Sequence, residues 1–287
     1  MPAKSSNCAS RAGPADPEWL ALSYDAYPRI EEAFQAVLGE SLQPRGHEAL
    51  YELVGGFGLP AGSAAVDVGC GEGRHSLELA ERFRLTVTGI DPVPRHIELA
   101  QAELAAFAAL HPDAERRVSF ELGVAEALPL EDRSVDLVWC RDVLVHVAEL
   151  HQAYAEFHRV LREGGRVLVY QMFGTDRLEP REAEWLWRTM GVVPASAERA
   201  STEAAISAAG LRVERCIDLS EWGEWAEEQT GKSSTRLLYA ARLLREPQRY
   251  VAQFGQAAYD IMLGDCLWHV YALIGKLDRR AYLLSRG

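Results

Sequence analysis

"VDVGCGEG", residues 66–73, sets an aspartate, Asp67, inside a short apolar run and follows it with glycines at 69, 71 and 73. The run that leads into it, "SAAVDVG", reads as a buried strand, and "GRHSLELAERF" after it carries apolar residues at helical spacing. A strand, a Gly-rich turn and a helix bring backbone amides together at the helix start, where a ligand can lie against the chain without meeting a Cβ. The spacing is G-x-G-x-G, not the G-x-G-x-x-G of the dinucleotide fingerprint, which weighs against a nicotinamide cofactor. Alone, such a turn fits a plain chain reversal as well as a ligand site.

Outward from this stretch the pattern alternates. "LTVTGID" reads as a strand ending at Asp91, and "PRHIELAQAELAAFAAL" as a helix opened by a proline. "RVSFELG", "VDLVWCR" and "GRVLVYQMF" are further strands, with the helix "VAELHQAYAEFHRVLRE" between the last two and Gly164 and Gly165 where a left-handed cap is expected. Short apolar strands alternating with helices predict an α/β fold: a doubly wound, Rossmann-like, mostly parallel sheet of seven strands covered on both faces. Past residue 173, "EAEWLWRTMG" and "TEAAISAAG" read as helices, "LRVERCIDL" as the sixth strand and "RAYLLSR" as the seventh. Between those strands lie about 55 residues of helical pattern, far more than a strand link needs, and they are a candidate helical cap over the carboxyl ends of the sheet. The expected organisation is a tail at 1–16, N-terminal helices at 17–60 covering the active site, a core at 61–220, the cap insertion at 221–277 and the final strand at 278–287.

Composition narrows the function classes. The net charge of −12 repels polyanions and leaves no basic footprint for nucleic acid, so a small molecule is the expected partner. No stretch approaches the roughly 20 apolar residues of a membrane span. The first residues, "MPAKSSNCASRAGPAD", lack the apolar core of a signal peptide, which favours the cytoplasm. The cysteines Cys8, Cys70, Cys140, Cys216 and Cys266 are odd in number and scattered, as reduced thiols are, and no cluster has metal-ligand spacing, so no metal is expected. Monomer and homodimer both stay open.

Three segments together carry a family resemblance. "VDVGCGEGRHSLELA" resembles the first motif of class I S-adenosylmethionine-dependent methyltransferases, "VTGID" their second, and "FELGVAEALPLEDRSVDLVWC" their third. The resemblance spans residues 45–175 well. It implies S-adenosylmethionine as cofactor and S-adenosylhomocysteine as product, with Asp67, Gly69, Cys70, Gly71 and Gly73 around the methionine part. It further implies that Asp91 accepts the ribose hydroxyls and that Ile90 and Pro92 border the adenine. The third segment departs from the pattern at Val124, where the family carries an Asp for the adenine amino group; Ala125, through its backbone amide, and Glu126 are left to meet the ring.

The methyl acceptor is expected beyond the fourth strand. There "WCRDVLVHV" places Arg141, Asp142 and His146, and in a helix Asp142 and His146 share one face. The segment resembles the S-R-D-x-x-L-H stretch of phosphoethanolamine methyltransferases, where the His acts with a tyrosine from an N-terminal helix; Tyr24 and Tyr27 are the candidates for that role. Each has a plainer reading: Asp142 as a helix cap or partner of Arg141, His146 and the tyrosines as packing. Arg141 is read as a cofactor or substrate anchor. Trp185, Trp187, Trp222, Trp225 and Trp268 suggest an apolar wall over an aromatic or cationic acceptor, with Glu221, Trp222 and Tyr170 as substrate contacts. The phosphobase enzymes ring their phosphate with extra Arg, Lys and Tyr, whereas this cap offers Lys232 and Arg236 among carboxylates. The expected activity is methylation of an aromatic, heteroaromatic (for example indole) or amine acceptor in specialised metabolism, with C-, N- and O-transfer all open. Two alternatives stand: a cofactor-binding scaffold without catalysis, which Val124 permits, and a nucleic-acid methyltransferase, whose amino-group DNA branch carries N/D-P-P-Y/F where this chain has "CRDV".

Overall fold

Seven strands share one sheet in the computed structural model, which describes residues 48–220 and 232–287. The strands are β1 (Ala64–Val68), β2 (Thr86–Asp91), β3 (Val118–Leu122), β4 (Val135–Arg141), β5 (Leu161–Gly174), β6 (Leu211–Asp218) and β7 (Leu277–Arg286). Their order is β3-β2-β1-β4-β5-β7-β6. β7 alone runs against its neighbours, pairing antiparallel with β5 on one side and β6 on the other. This is the doubly wound α/β fold that the alternating pattern predicts.

The helices longer than one turn are α1 (Glu48–Gly55), α2 (Arg74–Phe83), α3 (Pro94–Ala108), α4 (Leu150–Val160), α5 (Pro180–Met190), α6 (Arg199–Ala208), α7 (Lys232–Arg245), α8 (Pro247–Phe254) and α9 (Gln256–Leu273). Side chains alternate across the sheet, so each strand feeds two cores. Leu137, Trp139, Leu168, Tyr170, Met172, Ala281 and Leu283 meet Tyr51 of α1, Leu77 of α2 and Leu186 of α5 on one face. Val66, Val138, Val167, Val169 and Tyr282 meet Tyr154 and Phe157 of α4 and Ile206 of α6 on the other. Leu137 and Phe157 are fully buried, a gain of about 1.5–3 kcal/mol for each such side chain.

β7 begins at Leu277, before the apolar "RAYLLSR", because Leu277, Asp278 and Arg279 pair with Gly174, Phe173 and Met172 of β5 despite the charge they carry. Between β6 and β7, α7, α8 and α9 build a small core of Ala240, Leu243, Tyr259, Leu263 and Cys266. α9 also lies on α5, where Trp187 and Trp268 meet edge to face with centroids 5.9 Å apart.

The sheet places the chemistry at one end. From β1 the order runs to β2 and β3 on one side and to β4 on the other, and the crevice outside the carboxyl ends at such a reversal is where doubly wound sheets take ligands. The glycine turn after β1, Asp91 at the end of β2 and the Arg141–Asp142 pair after β4 all lie there.

Candidate functional site

The glycines of the turn are present for different reasons. All have positive φ: 74° at Gly69, 53° at Gly71 and 83° at Gly73. A Cβ on Gly69 would lie 2.1 Å from Val143 Cγ2, and one on Gly73 would lie 2.5 Å from Phe120 Cζ and 3.0 Å from the Ala100 Cβ. Both positions are therefore packed chain on chain. A Cβ on Gly71 would meet nothing within 4 Å among the described residues, so the turn leaves the backbone open to them here. The turn is tied to β2 by the N–H groups of Gly69 and Cys70, which both donate to the Ile90 carbonyl at 2.7 and 3.1 Å. Cys70 is buried, and burial pushes its thiol pKa far up, so it fills space rather than acting as a nucleophile.

Asp91 organises the other side. Its carboxyl is 5% exposed, with Oδ2 accepting the Gly71 N–H at 3.0 Å and Oδ1 accepting the Val93 N–H at 2.9 Å and His96 Nδ1 at 3.0 Å. A carboxylate has about four lone-pair sites, so Oδ2 retains capacity for one more donor. Pro92 is exposed beside it. Ile90, by contrast, is buried in the core, because it points to the sheet face opposite the crevice residues. Val124 is exposed, Ala125 buried and Glu126 half-buried, in a turn closed by the Val124–Ala127 bridge. Asp67 is buried with the Ser76 hydroxyl donating to its Oδ2 at 2.6 Å; burial raises its pKa to about 7 against the opposing pull of Ser76 and Arg141.

After β4 the backbone turns sharply. Asp142 has φ 57°, a left-handed conformation that Asp tolerates, and its N–H donates to the Tyr170 carbonyl at 2.9 Å. Asp142 and His146 consequently do not share a helix face: only the single 3₁₀ turn Leu144–His146 lies between them. Asp142 Oδ1 is buried without a hydrogen-bond partner among the described residues, and burial raises the carboxyl pKa although Arg141, Arg279, His269 and His146 all pull it down. His146 is exposed, with Nδ1 at 3.0 Å from the Gly191 carbonyl. A carbonyl can only accept, so Nδ1 carries the proton and Nε2 is the acceptor nitrogen of the neutral ring.

Arg141 turns toward α2. Its Nη1 donates to His75 Nε2 at 2.5 Å, which leaves the His75 Nδ1 proton for the Tyr51 hydroxyl at 2.5 Å. Tyr51 in turn stacks on the buried Trp139, with centroids 5.4 Å apart and planes 11° apart. The Arg141 guanidinium also lies 5.7 Å from the centre of the Tyr170 ring.

Tyr24, Tyr27, Glu221, Trp222 and Trp225 lie outside the described residues. Trp187 is 9% exposed and pairs with Trp268, so these two serve packing between α5 and α9 rather than an open aromatic wall. Tyr51, His75, Ser76, His96 and Arg279 join the site without having been singled out in the sequence. Arg279 alone left a trace, as a charge in step with Leu277, Ala281 and Leu283 on the inward face of β7. Among the described residues no group of three His, Cys, Asp or Glu is gathered as a metal requires, and no helix is long and apolar enough to cross a membrane.

Comparison with known proteins bears on this end of the sheet. A methyltransferase domain family matches residues 66–169. The chain is 34% identical over 122 residues to Methyltransferase GfsG of Streptomyces halstedii, covering 42% of this chain and 41% of that one. It is 36% identical over 115 residues to the 27-O-demethylrifamycin SV methyltransferase of Amycolatopsis mediterranei (strain S699), covering 40% of each. The matches thus span about two fifths of the length of these relatives. In fold, the chain is similar to a sarcosine dimethylglycine methyltransferase, so described provisionally, from Galdieria sulphuraria (TM-score 0.62, 15% identity, 84% of both chains). It is also similar to the [4+2]-cyclase SpnF (TM-score 0.63, 23% identity, 83% of this chain and 80% of that one).

Proposed function

We propose, from the match of residues 66–169 to a methyltransferase domain family, that this chain is a class I S-adenosylmethionine-dependent methyltransferase and moves a methyl group from S-adenosylmethionine to a small molecule. The observation that carries the reading is the contrast within the glycine turn: a Cβ on Gly71 would meet no described residue within 4 Å, while the Gly71 N–H is held by Asp91, whose Oδ2 keeps accepting capacity to spare. A cradle that a Cβ would fill, beside a carboxylate that can take a hydroxyl proton, fits an adenosine ligand. In this reading the turn at 69–73 and Asp67 hold the methionine end, Asp91 the ribose, and Pro92, Ala125 and Glu126 border the adenine.

When bound, S-adenosylmethionine supplies an electrophilic methyl on a sulfonium, whose C–S electron pair departs with the sulfur as the acceptor bonds to carbon. The chain's own residues align the acceptor and take its proton. Asp142 Oδ1, without a partner, accepts a hydrogen bond from the acceptor's N–H or O–H. His146 Nε2, the accepting nitrogen of the tautomer that Gly191 fixes, takes up the proton. Transfer of labelled methyl to a panel of amines, phenols and indoles tests this, with Asp142→Asn and His146→Ala expected to slow turnover 10²–10⁴-fold. A second reading, a cofactor-binding scaffold without transfer, draws on Val124 and on the fold shared with a [4+2]-cyclase. S-adenosylhomocysteine binding with no labelled product across the panel would favour it.

Asp67 makes binding pH-dependent. Its pKa of about 7 means that the carboxylate, the form attractive to the cofactor's ammonium, forms only as pH rises through that value. S-adenosylhomocysteine affinity is expected to climb from pH 5.5 to 7 and level off above, and to stay flat in Asp67→Asn, as calorimetry at each pH would show. The sign for the free fold is the reverse. An acid raised above its unfolded pKa adds stability that is fully present below about pH 4 and lost as pH rises through 7.

A further inference from the structure

Arg279 is the buried charge that the reading above leaves unused. It is 5% exposed, yet its Nε and Nη1 have no hydrogen-bond partner among the described residues. Its backbone is fully engaged: the N–H faces Ser220 Oγ at 3.4 Å and the carbonyl accepts from Leu219 at 2.9 Å. Arg280, next in the chain and on the opposite face of β7, is paired with both Asp278 and Asp218. A guanidinium left unpaired inside a protein is strongly destabilising, and buried polar groups nearly always have partners. The exception calls for a ligand.

Its position says which one. Arg279 pairs with Met172 on β5, Tyr170 lies one step along the same face, and Asp142 donates its N–H to the Tyr170 carbonyl. Arg279 and Asp142 thus stand at the same end of the sheet, on strands separated by β5, which puts their backbones about 10 Å apart. Each acts on the other electrostatically, but they do not touch, and each keeps buried atoms unpartnered. Arg279 needs an acceptor of hydrogen bonds, Asp142 Oδ1 a donor.

We propose that the methyl acceptor carries an oxyanion, carboxylate or phosphate, which Arg279 binds while the acceptor's N–H or O–H is turned to Asp142. This rests on the methyltransferase reading for the word acceptor; the anion site itself does not. The guanidinium matches a carboxylate or phosphate through two parallel N–H···O bonds, and burial strengthens both. The apolar wall of tryptophans is then not needed for selection, in keeping with the Trp187–Trp268 contact.

The test titrates the full chain by calorimetry, with and without saturating S-adenosylhomocysteine, using three probes: β-alanine, aminomethylphosphonate and β-alaninamide. The amide keeps the amine and loses the anion. At least one anionic probe is expected to bind tenfold or more tighter than the amide, and which one tells carboxylate from phosphate. In Arg279→Met that preference disappears while S-adenosylhomocysteine affinity holds and the melting temperature of the free protein rises, since an unpaired buried cation has been removed. Arg279→Lys, which keeps the charge, recovers part of the preference and serves if the Met variant does not fold. Equal binding of the three probes, no binding of any, or a preference that survives Arg279→Met overturns the proposal. Anion binding without S-adenosylhomocysteine binding would instead sink the methyltransferase reading and leave the anion site standing.

Discussion

Gly71→Asn is expected to weaken S-adenosylhomocysteine binding about a hundredfold, close to 2.7 kcal/mol, while barely moving the melting temperature. Asn tolerates the left-handed conformation that φ 53° demands, and its side chain enters a space with no atom of the described residues within 4 Å of the Cβ. The fold loses little; the ligand loses its closest approach to the backbone. Gly69→Ala is expected to do the opposite. Its Cβ would meet Val143 Cγ2 at 2.1 Å and Cγ1 at 2.8 Å, and Val143, stiff at χ1, cannot step aside. Overpacking and the left-handed backbone together cost about 2–5 kcal/mol. Thermal melts beside calorimetric titrations of the two variants check the contrast. Equal behaviour of both would mean that the turn has one purpose and not two.

The second large effect is expected at Asp91→Ala. This removes the acceptor of the Gly71 and Val93 N–H groups and of His96, so the turn loosens and the ribose contact goes with it. Each stranded donor costs about 1–3 kcal/mol. Both stability and S-adenosylhomocysteine affinity should fall, the latter beyond a hundredfold. Asp91→Asn retains one accepting oxygen and should fall between. A variant with lowered stability but unchanged affinity in titration would remove Asp91 from the ligand and leave it a turn-holder.

The glycine turn and Asp91 were legible because they rest on local spacing: strand, turn, helix, then a carboxylate at the end of the next strand. The division of labour among Gly69, Gly71 and Gly73 was not, since it depends on Val143, Phe120 and Ala100, which only the fold brings near. Asp142 and His146 show how a segment placed at the expected end of the sheet can take a local geometry that its spacing does not suggest. Four-residue spacing suggests a helix face, but Asp142 takes a left-handed turn where β4 ends, and its N–H is claimed by β5. Trp187 and Trp268 were visible as apolar bulk, while their mutual contact needs α9 laid on α5. Arg279 left only its step with Leu277, Ala281 and Leu283 in the sequence; its burial follows from the antiparallel insertion of β7 between β5 and β6, which the sequence does not announce.

The most direct measurement is a calorimetric titration of the purified chain with S-adenosylhomocysteine, with NADH as the control for the rival fingerprint. The account predicts saturable binding near micromolar, about −8 kcal/mol, and no heat from NADH. No saturable binding of S-adenosylhomocysteine, or equal binding of the two, would contradict it.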